Sequence, residues 1–160
     1  MIIAVGTDHR GAAILQHLNV ILEAEGCKVV EPTLCSTKTC DYPDMAYPVA
    51  TAVAEGRADR GILVCGSGIG MSITANKVHG IRAALVHDEL GAEMSRRHNN
   101  ANILCLAADL LGQSVIERIV QLWLKTEFEG GRHARRVEKI TAIENGQNPA
   151  ETCDESLAAE

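Results

Sequence analysis

Apolar positions along this chain fall into two alternating patterns. Short continuous apolar runs occur at Met1–Gly6, Cys27–Glu31, Ile62–Val64, Arg82–Val86 and Ile103–Leu106. Such runs are what strands buried on both faces of a parallel sheet require. Between them the period lengthens. Ala12–Glu25 carries Ile14, Leu15, Leu18, Ile21 and Leu22 at helical spacing, and Gly26 stands where a helix would stop in a left-handed C′ residue. Pro43 opens a second helix to about Gly56, since proline suits the first turn. A helical pattern follows the glycines at 66–70, and another runs from His87-Asp88 to about His98. Val115–Lys125 is helical around Ile116, Ile119, Val120 and Leu122, and a last helix ends near Glu144. Strand and helix alternate five times, which predicts an α/β fold: a three-layer α/β/α sandwich with a five-stranded parallel sheet and a C-terminal helix. Residues 1–144 read as one domain. Residues 145–160, rich in Gly, Pro, Ala and acids, read as a flexible acidic tail.

Composition narrows the function. A chain of 160 residues, 46% hydrophobic and 2% aromatic, can bury a core made of Ala, Val, Ile and Leu. A formal net charge of −6 argues against a nucleic-acid surface. No apolar run approaches the ~18 residues of a membrane span, and the N-terminus enters a strand without the basic region of a signal peptide. Six cysteines are present, at 27, 35, 40, 65, 105 and 153. Three of them lie in or beside strand patterns and none forms a CxxC pair, so reduced thiols in the cytoplasm are expected rather than a disulfide framework.

The stretch that organises the chemistry is Gly61-Ile-Leu-Val-Cys65-Gly66-Ser67-Gly68-Ile69-Gly70, running into Met71–Lys77. Cys65 falls where a strand ends, and glycines at alternate positions let backbone N–H groups approach a ligand. The next helix points its positive end at the same place. A thiol there is expected to have a lowered pKa. The plainer alternative is a small core cysteine before an ordinary strand–loop–helix turn. A Walker loop does not fit, because Met71 stands five after Gly66. A dinucleotide fingerprint would read GxGxxG after the first strand, not GxGxG after the third.

Ligands of such sheets bind beyond the carboxyl ends of the strands. Those ends collect Asp8, His9, Tyr42, Cys65 and Ser67, although Asp8 can equally cap the first helix and Tyr42 can be turn packing. Arg96-Arg97-His98-Asn99 ends a helix, where cations complement the macrodipole and Asn is an ordinary cap. Gly130-Gly131-Arg132-His133-Ala134-Arg135-Arg136 puts arginines at the positive end of a helix. Arg132 and Arg136 share one face and suit a phosphate; the alternative is pairing with Glu127, Glu129 or Glu138. No metal-ligand cluster stands out by spacing.

Taken together, the motifs resemble one family. Gly-Thr-Asp-His at 6–9, Asp-Tyr-Pro at 41–43, Cys-Gly-Ser-Gly-Ile-Gly at 65–70, Ala-Asn-Lys at 75–77, Gly-Ile-Arg-Ala at 80–83, Ser-Arg-Arg-His-Asn at 95–99 and Glu-Gly-Gly-Arg-His at 129–133 are similar to ribose-5-phosphate isomerases of the B type. Their broader group includes galactose-6-phosphate isomerase subunits. The resemblance implies a Rossmann-like fold and interconversion of ribose 5-phosphate and ribulose 5-phosphate in the pentose phosphate pathway, with no metal or other cofactor. It implies Cys65 as the base, assisted by Ser67, and an enediolate held by the amides of Gly66, Gly68, Ile69 and Gly70. His98 would open the sugar ring, Asp8 and Asn99 would hold sugar oxygens near Tyr42, and His9, Arg132 and Arg136 would bind phosphate. It also implies a homodimer or homotetramer with sites shared between subunits, and no nucleic-acid or membrane partner. One departure stands out: Asp109 occupies what aligns with a phosphate-binding arginine of many members. An isomerase of another phosphorylated aldose (galactose or allose 6-phosphate, or a tetrose 4-phosphate) and a non-catalytic phosphosugar-binding module are the competing readings.

Overall fold

Five parallel strands form one sheet in the order β2-β1-β3-β5-β4, with β1 Ile2–Thr7, β2 Lys28–Leu34, β3 Arg60–Cys65, β4 Ala83–Leu85 and β5 Ile103–Ala107. The computed structural model describes residues 1–35 and 38–151. Six helices accompany the strands: α1 Ala12–Ala24, α2 Tyr42–Ala54, α3 Ile69–Ala75, α4 Glu89–Arg97, α5 Gln113–Lys125 and α6 Arg132–Glu144. The alternation expected from the apolar pattern is the alternation found. β2 is three residues longer at its end than its apolar run indicated, and its pairing with β1 shifts register between Ala4 and Gly6. Pairing along β1 carries the chain past the point where hydrophobicity stops.

Strand side chains alternate between the two faces. Ile62 and Val64 therefore join Leu18, Leu22, Ile116, Ile119 and Trp123 under α1 and α5. Leu63 and Cys65 join Ala46, Val49, Ala50, Met71 and Cys105 under α2 and α3. This parity sends Cys65 toward the N-terminus of α3. Neighbouring strands leave β1 and β3 in opposite directions along the sheet, and the gap at such a switch point is where open α/β sheets hold ligands. Asp8 and Cys65 flank that gap.

The cysteine expectation needs correcting. Cys35 and Cys40 form a disulfide, with Cα atoms 5.8 Å apart, while Cys27, Cys65 and Cys105 are free. The two cysteines are five positions apart in the β2–α2 connection, and spacing alone does not tell whether two Cα atoms approach to bonding range. Cys153 lies outside the described residues.

The segment read as a flexible tail begins as a turn docked on α6. The Gln147 amide donates to the Ala142 carbonyl at 2.8 Å, and Lys139 Nζ donates to the Pro149 carbonyl at 2.9 Å. Its remainder, 152–160, lies outside the described residues. Among the described residues no helix is long and apolar enough to cross a membrane.

Candidate active site

The thiol loop is built by the end of β3. Cys65 is buried, and its Sγ accepts a hydrogen bond from the Gly68 amide at 3.1 Å. Gly68 is the N-cap of α3 and takes φ +73°. A Cβ there would meet Leu85 Cδ1 at 2.5 Å and the Leu106 backbone at 3.1 Å. Both the left-handed conformation and the lack of room demand glycine. Ser67 is half-buried beside it, and its Oγ accepts from the Ile69 amide at 3.4 Å. Tyr42 reaches the loop from the start of α2: a Cβ on Gly70 would lie 2.5–2.8 Å from its ring atoms. Gly68→Ala is expected to destabilise the protein by about 1–3 kcal/mol, read as a shift of the urea midpoint. Gly80→Ala, with φ +79° but nothing within 4 Å, isolates the backbone share of that cost and should shift it less.

On the neighbouring strand, buried Asp8 accepts hydrogen bonds from the amides of Arg10 at 2.8 Å and Gly11 at 3.1 Å. One carboxylate oxygen, Oδ1, thus serves the turn before α1; it does not cap the helix as the alternative expected, since the N-cap is Gly11 and carries no side-chain cap. His9 is exposed, with its Nδ1 3.5 Å from the Cys40 amide. The structure therefore brings together Asp8, His9, Tyr42, Cys65, Ser67 and the 66–70 amides at one sheet edge. Two further residues join them: Arg10 pairs with Asp109 beside Gly66. Charge alone did not single out Arg10, because nothing local ties position 10 to position 109.

His98, Asn99, Arg132 and Arg136 do not join this cluster within one chain. α4 starts from its N-cap Asp88, just beyond β4, and runs back along the sheet, so its C-cap His98 returns to the amino end of β5. Arg82, just before β4, donates to the Asn99 carbonyl at 3.1 Å. β5 has five residues, which separates the two sheet edges by roughly 16 Å. Arg96 is not a solvated helix-end cation as its position suggested. It is buried, donates to the Ala101 carbonyl at 2.6 Å and to Asn100 Oδ1 at 3.0 Å, and stands 5.8 Å over the Trp123 ring. Burial pulls its pKa down to about 10, so it remains charged at neutral pH and pins the turn carrying His98 and Asn99. Asn100 takes φ +46°, the left-handed cap that asparagine tolerates.

His98 stacks on His133, rings parallel to within 3° and centroids 4.0 Å apart. Glu129 Oε2 lies 3.5 Å from His98 Nε2 and 3.6 Å from His133 Nε2. Spacing in the sequence hid this cluster of three donor groups, which lie within 4.8 Å of one another. Parallel rings present parallel rather than convergent lone pairs, so the arrangement suits imidazoles sharing a carboxylate better than a chelate. Glu129 also binds Arg97 at 2.9 Å. Among the described residues Arg132 and Arg136 make no ion pair, and both are exposed; the alternative of pairing with nearby glutamates is not what forms.

Burial, then the charge of His98, holds His133 below the usual histidine pKa. The unfolded chain therefore binds this proton more readily, and stability conferred by neutral His133 is lost as pH falls below about 6.5. Glu129 is held below the usual carboxylate range by Arg97, so its contribution is lost only lower, below about 4.5. Urea midpoints between pH 7.5 and 5 (buffers on the order of the histidine range) should fall for the native protein, and less steeply for His133→Asn.

The fold is thus a parallel α/β sheet with a thiol at a helix-led glycine loop, and Arg132 and Arg136, without an ion pair among the described residues, stand at the start of a separate helix. The family model described as Ribose/Galactose Isomerase matches residues 3–140, and the chain belongs to that family of isomerases. It is 43% identical over 146 residues to ribose-5-phosphate isomerase B of Escherichia coli, covering 91% of this chain and 98% of that one. It is 42% identical over 144 residues to D-erythrulose-4-phosphate isomerase of Pectobacterium atrosepticum, covering 89% and 95%. The structure of Clostridium thermocellum ribose-5-phosphate isomerase B superposes with a TM-score of 0.88 at 46% identity, covering 91% of this chain and 99% of that one.

Proposed function

We propose that this chain interconverts D-ribose 5-phosphate and D-ribulose 5-phosphate through a cis-enediolate, with Cys65 as the base. The observation that carries this reading is the Cys65 thiol held on the Gly68 amide at the sheet's switch point. In the open-chain sugar, Cys65 removes the proton from C2 and returns it to C1. Ser67 assists as the hydroxyl proton passes from O2 to O1, and the C1=O double bond becomes C2=O. The amides of Gly66, Gly68, Ile69 and Gly70 stabilise the negative oxygen that develops between those states, those of Gly68 and Ile69 being shared with Cys65 Sγ and Ser67 Oγ; loss of one preorganised donor costs about 3–4 kcal/mol. Asp8 and Asn99 hold sugar hydroxyls beside Tyr42, and His98 opens the furanose. His9, Arg132 and Arg136 bind the phosphate.

The separation of His98 from Cys65 supports a site completed by a second copy, in a homodimer or a tetramer built from it. Apolar side chains left exposed on α3 and α6 (Ile69, Ile73, Ile140 and Ile143) support a partner on that side. Work in the cytoplasm is part of the same reading; the free thiols of Cys27, Cys65 and Cys105 accord with it, and the Cys35–Cys40 bond does not. A second reading, isomerisation of a tetrose 4-phosphate or another phosphorylated aldose, is favoured by the erythrulose-phosphate relative and by Asp109 at the site edge. A coupled assay with tetrose, pentose and hexose phosphates, each with EDTA, separates them. The pentose is expected to turn over with the highest kcat/KM; a higher value for another sugar selects the second reading, and inactivity with all of them rejects catalysis.

A further inference from the structure

The turns after β1 and β5 meet over the thiol loop through a charge pair that the mechanism above does not use. Nη2 and Nε of Arg10 both donate to Oδ2 of Asp109, at 2.6 and 3.0 Å. The Asp109 amide donates to the Gly66 carbonyl at 3.0 Å, and the Ala108 amide to that of Cys65 at 2.9 Å, so the main chain that carries the carboxylate is fixed beside the base. A Cβ on Gly66 would lie 2.6 Å from Asp109 Oδ2 and 3.7 Å from Arg10 Cγ. The pair thus rests directly on the residue after Cys65.

Asp8 fixes the other end. Its carboxylate binds the amides of Arg10 and Gly11, setting the backbone from which Arg10 projects. An exposed ion pair adds little to stability, and the Arg10 side chain is 57% exposed. A guanidinium has five N–H donors; Asp109 engages two of the three nitrogens, and among the described residues Nη1 donates to nothing. A cation with donors to spare, held rigidly beside the base and next to His9, is built to meet an anion.

We propose that Arg10 is a specificity-determining contact to the phosphate of the sugar, with Asp109 as the positioning residue that aims it. This rests on the phosphosugar reading of the site. Asp109 puts an acid at this edge, and Arg10 restores the cation from the facing turn. Because Asp109 is tied to the Gly66 carbonyl, Arg10 holds the anion at a set distance from Cys65.

The test is calorimetric titration of inorganic phosphate into the full-length protein, with KM and kcat measured for the best phosphosugar. Arg10→Ala is expected to weaken phosphate binding and raise KM, each about tenfold, with kcat changed less than about threefold. Arg10→Lys should fall between, because an ammonium lacks the planar fork. If Asp109 aims Arg10, the Arg10→Ala loss shrinks at least about threefold in an Asp109→Asn background. Phosphate affinity and KM unchanged in Arg10→Ala, no phosphate binding by the native protein, or a fall in kcat alone would overturn the contact. An undiminished loss in the Asp109→Asn background would overturn the positioning role. Phosphate binding that depends on Arg10 in a protein that turns over no sugar leaves this contact standing and removes only the isomerase reading.

Discussion

Cys65→Ala is expected to lower isomerisation by about 10³-fold or more while leaving the fold and phosphate binding in place. A positioned base contributes roughly 10²–10⁴ in rate, and the one carboxylate against this loop, Asp109, is already engaged by Arg10. The structural cost is small by comparison. Cys65 is a small side chain at the rim of the core under α2 and α3, and its removal frees one amide, Gly68 N–H, a loss of about 1 kcal/mol. The proposed phosphate groups, His9, Arg132 and Arg136, hang on other elements. Turnover, exchange of the C2 proton with solvent deuterium and phosphate affinity should be measured together. The first two should vanish and the third persist. Turnover retained by the variant would remove Cys65 as the base, and loss of all three would mean that the loop had collapsed.

The second large effect comes from mixing two inactive variants. If Cys65 of one copy works with His98 of the other, Cys65→Ala and His98→Ala proteins, unfolded together and refolded at equal concentration, should recover about a quarter of native activity. Half of the dimers would be mixed, and each of those would hold one intact site and one doubly defective site. The geometry behind this is the return path of α4, which leaves His98 at the amino end of β5 while Cys65 stands at the carboxyl end of β3. Recovery well below that level, with mixed dimers demonstrated by mass, would place both residues in the site of a single chain.

Hydrophobic periodicity, with proline and glycine marking helix starts and stops, carried the order and kind of the strands and helices. That is because two-sided burial writes continuous apolar runs, and amphipathic helices write a 3.6-residue period. The glycine spacing around Cys65 was legible for a similar reason: Gly68 requires a left-handed turn and bare space at Leu85 and Leu106, a local demand that only glycine meets. The neighbourhoods of charged and sulfur-bearing side chains were another matter. The Cys35–Cys40 bond, the burial of Arg96 against Trp123, the His98–His133 stack on Glu129 and the Arg10–Asp109 pair all join residues through the packed fold. Arg96 shows why: its sequence context is that of an ordinary cationic helix end, and only the fold puts it inside, with its Nε donating to the Thr126 carbonyl at 3.3 Å and its guanidinium over Trp123.

The sequence by itself therefore determined the layered fold, the thiol at the strand end and the collection of polar residues along one edge, since each follows from local periodicity or local backbone demands. Tertiary structure alone decided which charges meet, that His98 and Cys65 lie at opposite ends of the sheet, and that Arg10 rather than residue 109 offers the cation beside Gly66. Those outcomes depend on strand order and helix direction, which bring together residues about a hundred positions apart, and no local pattern in the chain encodes such a distance.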